Sequence, residues 1–249
     1  YVHTVWAGDQ MVDWSRHDGI PSVMPAALSM GMSGVGVHHS DLGGFTSLFG
    51  VTRRRRLYLR WAEMSAFSPV MRSHESNRPG NNWQFDADEA TLAHTARMSR
   101  VFGELRNYRR HVLSEYYVAG LPAMRPVVLH YPGAVPQETL LTSPGPWPIP
   151  QDATDSLPIE LDTDTYPKIR PWWRWRWNRG RGLRGAYRYM FGRDLLVVPV
   201  VRKRVKRVTV NLPPDTWVHL WTGKVYDGGN ATVSARPGEP PVFYRAESR

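Results

Sequence analysis

Three times in the first half of this chain, a short apolar run ends at a polar residue and hands over to a segment with helical periodicity. Residues 2–8, from Val2 to Gly8, read as a short buried strand that ends at Asp9. Asp18 and Gly19 then open a helix carrying Val23, Ala26, Ala27, Leu28, Met30 and Met32. Gly34 and Gly36 punctuate its end, and Val35, Val37, His38 and His39 form a second short strand ending at Asp41. Residues from Arg53 to Met64 are patterned as a helix, with Leu57, Leu59 and Trp61 available for burial. Ser68 to Arg72 reads as a brief strand that ends at His74, and residues 88–117 as one long helical stretch. Strand and helix alternating at this spacing bury their apolar faces together in a parallel β/α fold. When such a fold closes into a barrel, its chemistry sits where the strands end. Asp9, Asp41 and His74 all stand at such ends.

From Asp194 onward the pattern is all-β. Leu195 to Val201, Val205 to Leu212, Trp217 to Trp221, Thr232-Val233 and Val242 to Tyr244 are candidate strands. Pro213-Pro214 and Asp227-Gly228-Gly229 read as turns between them, and a small antiparallel sandwich is the expected outcome. Between the two halves, prolines are dense from Pro132 to Pro171, and an acidic stretch, Asp152 to Asp164, leads into a Trp/Arg run at Trp172 to Trp177. That composition predicts irregular structure. The organisation expected is therefore a β/α part at 1–131, an irregular Pro/Trp/Arg-rich insertion at 132–184 and a β-sandwich at 185–249.

The net charge of +10 raises the question of a nucleic-acid partner. The excess lies in three runs: Lys168 to Arg184, Arg202 to Arg207, and Arg53 to Arg56. No nucleic-acid motif accompanies them, so they read as solvated faces or loop tips, and no nucleic-acid partner is expected. The chain has no cysteine, which excludes disulfides and thiolate metal sites. It begins with Tyr1 and runs at once into a strand-like segment, so it reads as a fragment.

Paired carboxylates are the chemistry these residue types suggest. A retaining glycosidase needs two carboxyl groups roughly 5 Å apart, one nucleophilic and one acid/base. The acid must hold its proton near neutral pH, which calls for partial burial or a nearby negative charge. Asp9, following Trp6 and Gly8 at a strand end, is a candidate, and an Asp after Gly is also a common turn residue or helix cap. Asp41 precedes Gly43-Gly44, which lets backbone approach a ligand, so its carboxylate is placed to bind sugar hydroxyls or to order its own turn. His74 is a candidate donor to a hydroxyl, or a structural histidine. His38-His39 lacks a third ligand at a recognisable spacing, so no metal is expected. The 11 tryptophans supply stacking platforms for sugar rings or, equally, core filling.

Taken together, several motifs resemble glycoside hydrolase family 31, and within it the sulfoquinovosidases. They are Trp6-Ala7-Gly8-Asp9-Gln10 with Asp13-Trp14, His39-Ser40-Asp41-Leu42-Gly43-Gly44, and Met71-Arg72-Ser73-His74-Glu75. Asn77-Arg78-Pro79-Gly80, Asn82-Trp83-Gln84-Phe85, Gly120-Leu121-Pro122, Gly192-Arg193-Asp194-Leu195 and Trp221-Thr222-Gly223 extend the likeness. The resemblance covers about 1–131 and 186–247.

This resemblance implies the C-terminal part of a (β/α)8 barrel followed by an all-β sandwich domain, acting on an α-glycoside with retention and without a cofactor. Carried over by motif, Asp9 is the general acid/base. Asp41 and His74 line the subsite of the reacting sugar, Trp6 helps wall it, and Gln10 and Phe45 belong to the same substrate-binding group. The family's nucleophilic aspartate and the arginine and tryptophan that grip a sulfonate lie on segments preceding Tyr1. Sulfoquinovosidases carry a tyrosine after the Gly-Gly pair, where this chain has Phe45, which offers no hydroxyl. A glycosidase-like protein kept for carbohydrate binding without catalysis is the alternative that the same motifs allow.

Overall fold

The computed structural model describes residues 4–133 and 187–247. The insertion expected at 132–184, with its Trp/Arg run, lies almost wholly outside the described residues.

The first half is the succession β1 (Val5–Trp6), α1 (Ile20–Met32), β2 (His38–His39), β3 (Asp41–Leu42), α2 (Arg55–Ser65), β4 (Arg72–Ser73), α3 (Glu89–Glu104) and α4 (Arg106–Ala119). β1 pairs in parallel with β2, and β3 in parallel with β4, as the alternation of strands and helices predicts. Every residue of α2 from Leu57 to Ser65 is buried, so this helix is a core element, not a covering one. The stretch expected to be one helix over 88–117 is two. Leu105 ends α3 and begins α4. At that junction the Arg109 guanidinium lies 3.4 Å over the Phe102 ring and donates to the Phe102 carbonyl at 2.7 Å, satisfying an acceptor that the break in the helix releases. Asp88 caps α3 by accepting from the Thr91 N–H at 2.6 Å.

The chain then joins an all-antiparallel sheet of six strands. These are β5 (Met124–Arg125), β6 (Tyr189–Phe191), β7 (Leu195–Val197), β8 (Arg207–His219), β9 (Val225–Ser234) and β10 (Val242–Arg245), in the order β5-β6-β7-β10-β8-β9. Two expected turns are absent. Pro213-Pro214 lies inside β8 and Asp227-Gly228-Gly229 inside β9, with a bulge between Leu212 and Thr216. Two prolines bring no N–H to the ladder, so the strand bulges instead of reversing. The Pro213 carbonyl accepts from Trp217 Nε1 at 3.0 Å, and Gly228 faces it at φ 73°, where a Cβ would sit 3.0 Å from that same carbonyl.

One apolar cluster takes Met24, Tyr58 and Met98 from the helices and Tyr189, Phe191 and Val242 from the sheet, so the two halves share a core. A buried polar group adds to it. Arg60 and Glu63 of α2 pair at 2.7 Å, while Arg60 donates to the Ala235 carbonyl and Glu63 accepts from the Gly238 N–H.

Buried histidines give this fold an acid-side weakness. Burial draws the pKa of His38 and of His94 from 6.5 to about 4. Both are neutral in the folded state at pH 5, while the unfolded chain takes up their protons. Their stabilising contribution is complete above pH 6.5 and is lost as pH falls toward 4. By pH 5 each costs ~2 kcal/mol. Urea unfolding is expected to give a constant free energy above neutrality and a decline between pH 6.5 and 5. His94→Gln should flatten that decline, and an unchanged slope in the variant would show that burial of His94 is not its cause.

Candidate active site

Parallel pairing sets the edge on which the site is built. Trp6 is in register with His39, and Asp41 with Arg72, while the Ala7 N–H donates to the His39 carbonyl at 2.8 Å. The loops that follow the strands are then pegged to one another. The Gln10 carbonyl accepts from the N–H groups of Phe45 and Thr46, each at 2.9 Å, and Thr46 Oγ1 donates to the Asp9 carbonyl at 2.7 Å. The Phe45 carbonyl in turn accepts from the Asn77 N–H, and the Phe45 ring meets the His74 ring edge-on at 4.9 Å. A second chain of contacts runs from Trp6 to Arg72, stacked 6.0 Å from the indole, and on to Asp41 Oδ1, 3.2 Å from Arg72 Nη1. The structure therefore brings together all six residues singled out from sequence: Trp6, Asp9, Gln10, Asp41, Phe45 and His74.

Their environments differ. Asp41 is fully buried, and neither carboxylate oxygen accepts a hydrogen bond among the described residues. Unused acceptors on a buried carboxylate are costly unless a ligand fills them. Gln10 is also buried; its Nε2 donates to the Ala7 carbonyl at 2.6 Å and its Oε1 has no donor among the described residues. His74 Nδ1 accepts from the Ser76 N–H at 3.0 Å, which places the ring proton of neutral His74 on Nε2 as a donor. Ser76 makes that contact from the left-handed region, at φ 85°, a conformation costing roughly 1–3 kcal/mol and held here by Asn82 Nδ2 on its hydroxyl. Burial lowers the pKa of His38 and of His39, and His38 Nε2 and His39 Nδ1 have no partner among the described residues. Asp9 does not show the partial burial expected of it. Gly8, at φ 89°, turns the chain out of the strand, and the Asp9 side chain is exposed among the described residues.

The pattern of basic residues hid one part of the site. Arg53 opens the basic run that reads as solvated charge, yet it is only 1% exposed. Its guanidinium donates to the carbonyls of Leu42, Gly44, His74, Glu75 and Trp83 and to Gln84 Oε1. The Asn77-to-Gln84 motif forms the rest of this frame. Asn82 Oδ1 accepts from Ser47 Oγ and the Arg53 N–H, and Gln84 Nε2 donates to the Glu75, Pro79 and Asn82 carbonyls. Of the others, Arg54 and Arg56 face outward and line a cavity of about 370 Å³ with Lys203 and Arg204, while Arg55 donates to Thr91 Oγ1 at 3.1 Å and pairs with Asp88 at 3.3 Å. Among the described residues no group of three His, Asp or Glu side chains is placed to hold a metal ion, and no helix is long and apolar enough to cross a membrane.

Residues 1–107 match the glycosyl hydrolases family 31 TIM-barrel domain, and residues 166–248 match the glycosyl hydrolase family 31 C-terminal domain. The chain is 44% identical to a sulfoquinovosidase of Escherichia coli (strain K12) over 248 residues, and 40% identical to a sulfoquinovosidase of Agrobacterium fabrum over 246. Among solved structures it is similar to a family 31 sulfoquinovosidase from E. rectale in complex with the aza-sugar inhibitor IFGSQ, with a TM-score of 0.76 and 40% identity over 98% of this chain. In each case the chain spans about 30% of the relative's length.

Proposed function

From a chain that belongs to glycosyl hydrolase family 31, we propose that these residues serve a retaining α-glycoside hydrolase of the sulfoquinovosidase type, with Asp9 as its general acid/base. What supports this reading is that the loops carrying Asp9, Asp41 and His74 are bonded to one another. Asp9 is a carboxyl group on a loop pinned by Thr46. Asp41 offers a buried carboxylate whose Oδ2 has no partner among the described residues, its Oδ1 lying 3.2 Å from Arg72 Nη1, and His74 offers a ring N–H on Nε2.

Retention proceeds by double displacement. One carboxylate attacks the anomeric carbon while the acid/base protonates the departing oxygen. The same group then takes a proton from the water that releases the sugar. Asp41 is suited to binding hydroxyls rather than to attack, since it is wholly buried beside Arg72. The nucleophile in this proposal comes from residues outside the 249, in keeping with a span of about 30% of the relatives. Phe45 packs on His74 and presents only carbon to the sugar, so recognition of a sulfonate falls to other groups.

The test is hydrolysis of aryl α-sulfoquinovoside and aryl α-glucoside by the whole protein, with proton NMR of the first-formed sugar. Cleavage of the sulfoquinovoside with the α anomer appearing first is expected. A β anomer first would remove the retaining mechanism. No cleavage of either glycoside, with sugar binding intact, would leave the non-catalytic carbohydrate-binding reading. The 249-residue chain alone is expected to turn over neither substrate.

A further inference from the structure

We infer that Arg53 is a positioning residue for sugar binding: it fixes the loop carrying Asp41 and Phe45 to the loop carrying His74. The inference rests on the glycosidase reading and adds to it a residue that touches no substrate.

The geometry is that of a hub. Nη1 alone donates to Leu42 O and Gly44 O, each at 3.1 Å, and to His74 O at 3.0 Å, while Nη2 reaches Glu75 O at 3.2 Å and Gln84 Oε1 at 3.0 Å. Nε closes the frame on Trp83 O at 2.8 Å. Leu42 and Gly44 flank the turn between Asp41 and Phe45, so a single planar cation spans both sugar-facing loops. Burial lowers its pKa to about 10, which leaves it charged at neutral pH. Among the described residues no ion pair holds it; its donors are spent on backbone carbonyls and Gln84 Oε1 instead. An arginine whose donors go to loop backbone contributes rigidity and register more than charge. Gly43 is shaped to this guest. At φ 83° its missing Cβ would stand 2.3 Å from Arg53 Cδ, so the turn closes directly against the arginine stem. Lysine cannot reproduce the arrangement, having one point of attachment where the fork has several.

The experiment compares the whole protein with its Arg53→Lys and Gln84→Leu variants. KM and kcat for an aryl α-glycoside, the affinity for an aza-sugar inhibitor and the thermal midpoint are measured for each. Arg53→Lys is expected to raise KM and weaken the inhibitor about tenfold or more. Gln84→Leu, which removes the Oε1 acceptor of Arg53 and the Nε2 donors to the Glu75, Pro79 and Asn82 carbonyls, should move both in the same direction by about two- to threefold while remaining folded. A residue that only supports the fold would lower the active fraction, and so the apparent kcat, without changing KM. KM and inhibitor affinity unchanged in both variants would overturn the inference. If wild-type protein is inactive, the glycosidase reading falls, and the ¹⁵N pattern of the His74 imidazole still decides the inference. Unprotonated Nδ1 with protonated Nε2 in wild type, lost in the variants, supports it; the same pattern in all three overturns it.

Discussion

Asp9→Asn in the whole protein is expected to lower kcat/KM for an alkyl α-glycoside by about 10²–10⁴-fold, the range that a positioned acid/base contributes. The loss should follow leaving-group chemistry. An alkoxide departs poorly without a proton, so alkyl glycosides suffer fully. An acidic phenol leaves unaided, so the first step on an activated aryl glycoside is largely spared and the glycosyl-enzyme accumulates. Its release then lacks a base, and azide, which needs none, should restore turnover and give an α-glycosyl azide. The thermal midpoint should stay near that of wild type, because among the described residues the Asp9 side chain is exposed and the hold on Asp9 is at its carbonyl, by Thr46. Alkyl-glycoside rates that match wild type would sink the assignment. Loss of both steps without azide rescue would point to a different role for Asp9.

Strand-end positions were legible because parallel β/α units impose them: Asp9 and His74 come just after β1 and β4, whereas Asp41 comes just after β2 and itself opens β3. Contacts within the site were legible only in part. Periodicity reports which residues are buried as a stripe, and it correctly offered Leu57, Leu59 and Trp61 of α2. It gives no account of a lone buried cation. Arg53 begins a run of four arginines, and nothing in that run separates the one that turns inward from those that face solvent. The nearest sequence signal lay elsewhere, in Asn77 to Gln84. A cluster of amides and a glycine around one short 3-10 turn, Pro79–Asn81, has polar groups to satisfy, and its partners prove to be Ser47, Ser76 and Arg53. Turn chemistry misled in the sheet for a related reason. Pro213-Pro214 and Gly228-Gly229 each signal a turn when read alone, whereas placed opposite each other they make a bulge, a pairing that local sequence does not encode.

Glu63→Leu is expected to be among the most destabilising single changes in the chain, costing about 3–5 kcal/mol by the measure of buried pairs that lose one partner. Glu63 is 1% exposed and Arg60 is 4% exposed in the side chain. Burial raises the Glu63 pKa, and the Arg60 cation and its hydrogen bond work against that rise. Deleting the carboxylate strands the guanidinium and also leaves the buried Gly238 N–H without its acceptor at 2.7 Å. Since a domain has only about 5–15 kcal/mol in hand, a loss of this size unfolds a substantial share of molecules on mild heating. The companion change is informative. Arg60→Met with Glu63→Leu removes both charges, so the double variant is expected to be more stable than Glu63→Leu alone, even though the Ala235 carbonyl then loses its donor at 2.5 Å. Denaturant unfolding of wild type, both singles and the double completes the cycle, and a double variant no better than Glu63→Leu would show that the stranded charge is not the cause. The cluster also separates two ways of losing activity. Arg60 and Glu63 tie α2 to the 235–238 segment and, among the described residues, bond to none of the loops carrying Asp9, Asp41 and His74, so Glu63→Leu should cost active molecules while those that stay folded keep their KM. Arg53 lies just ahead of the same helix and bonds to those loops directly, so its loss should appear in KM itself.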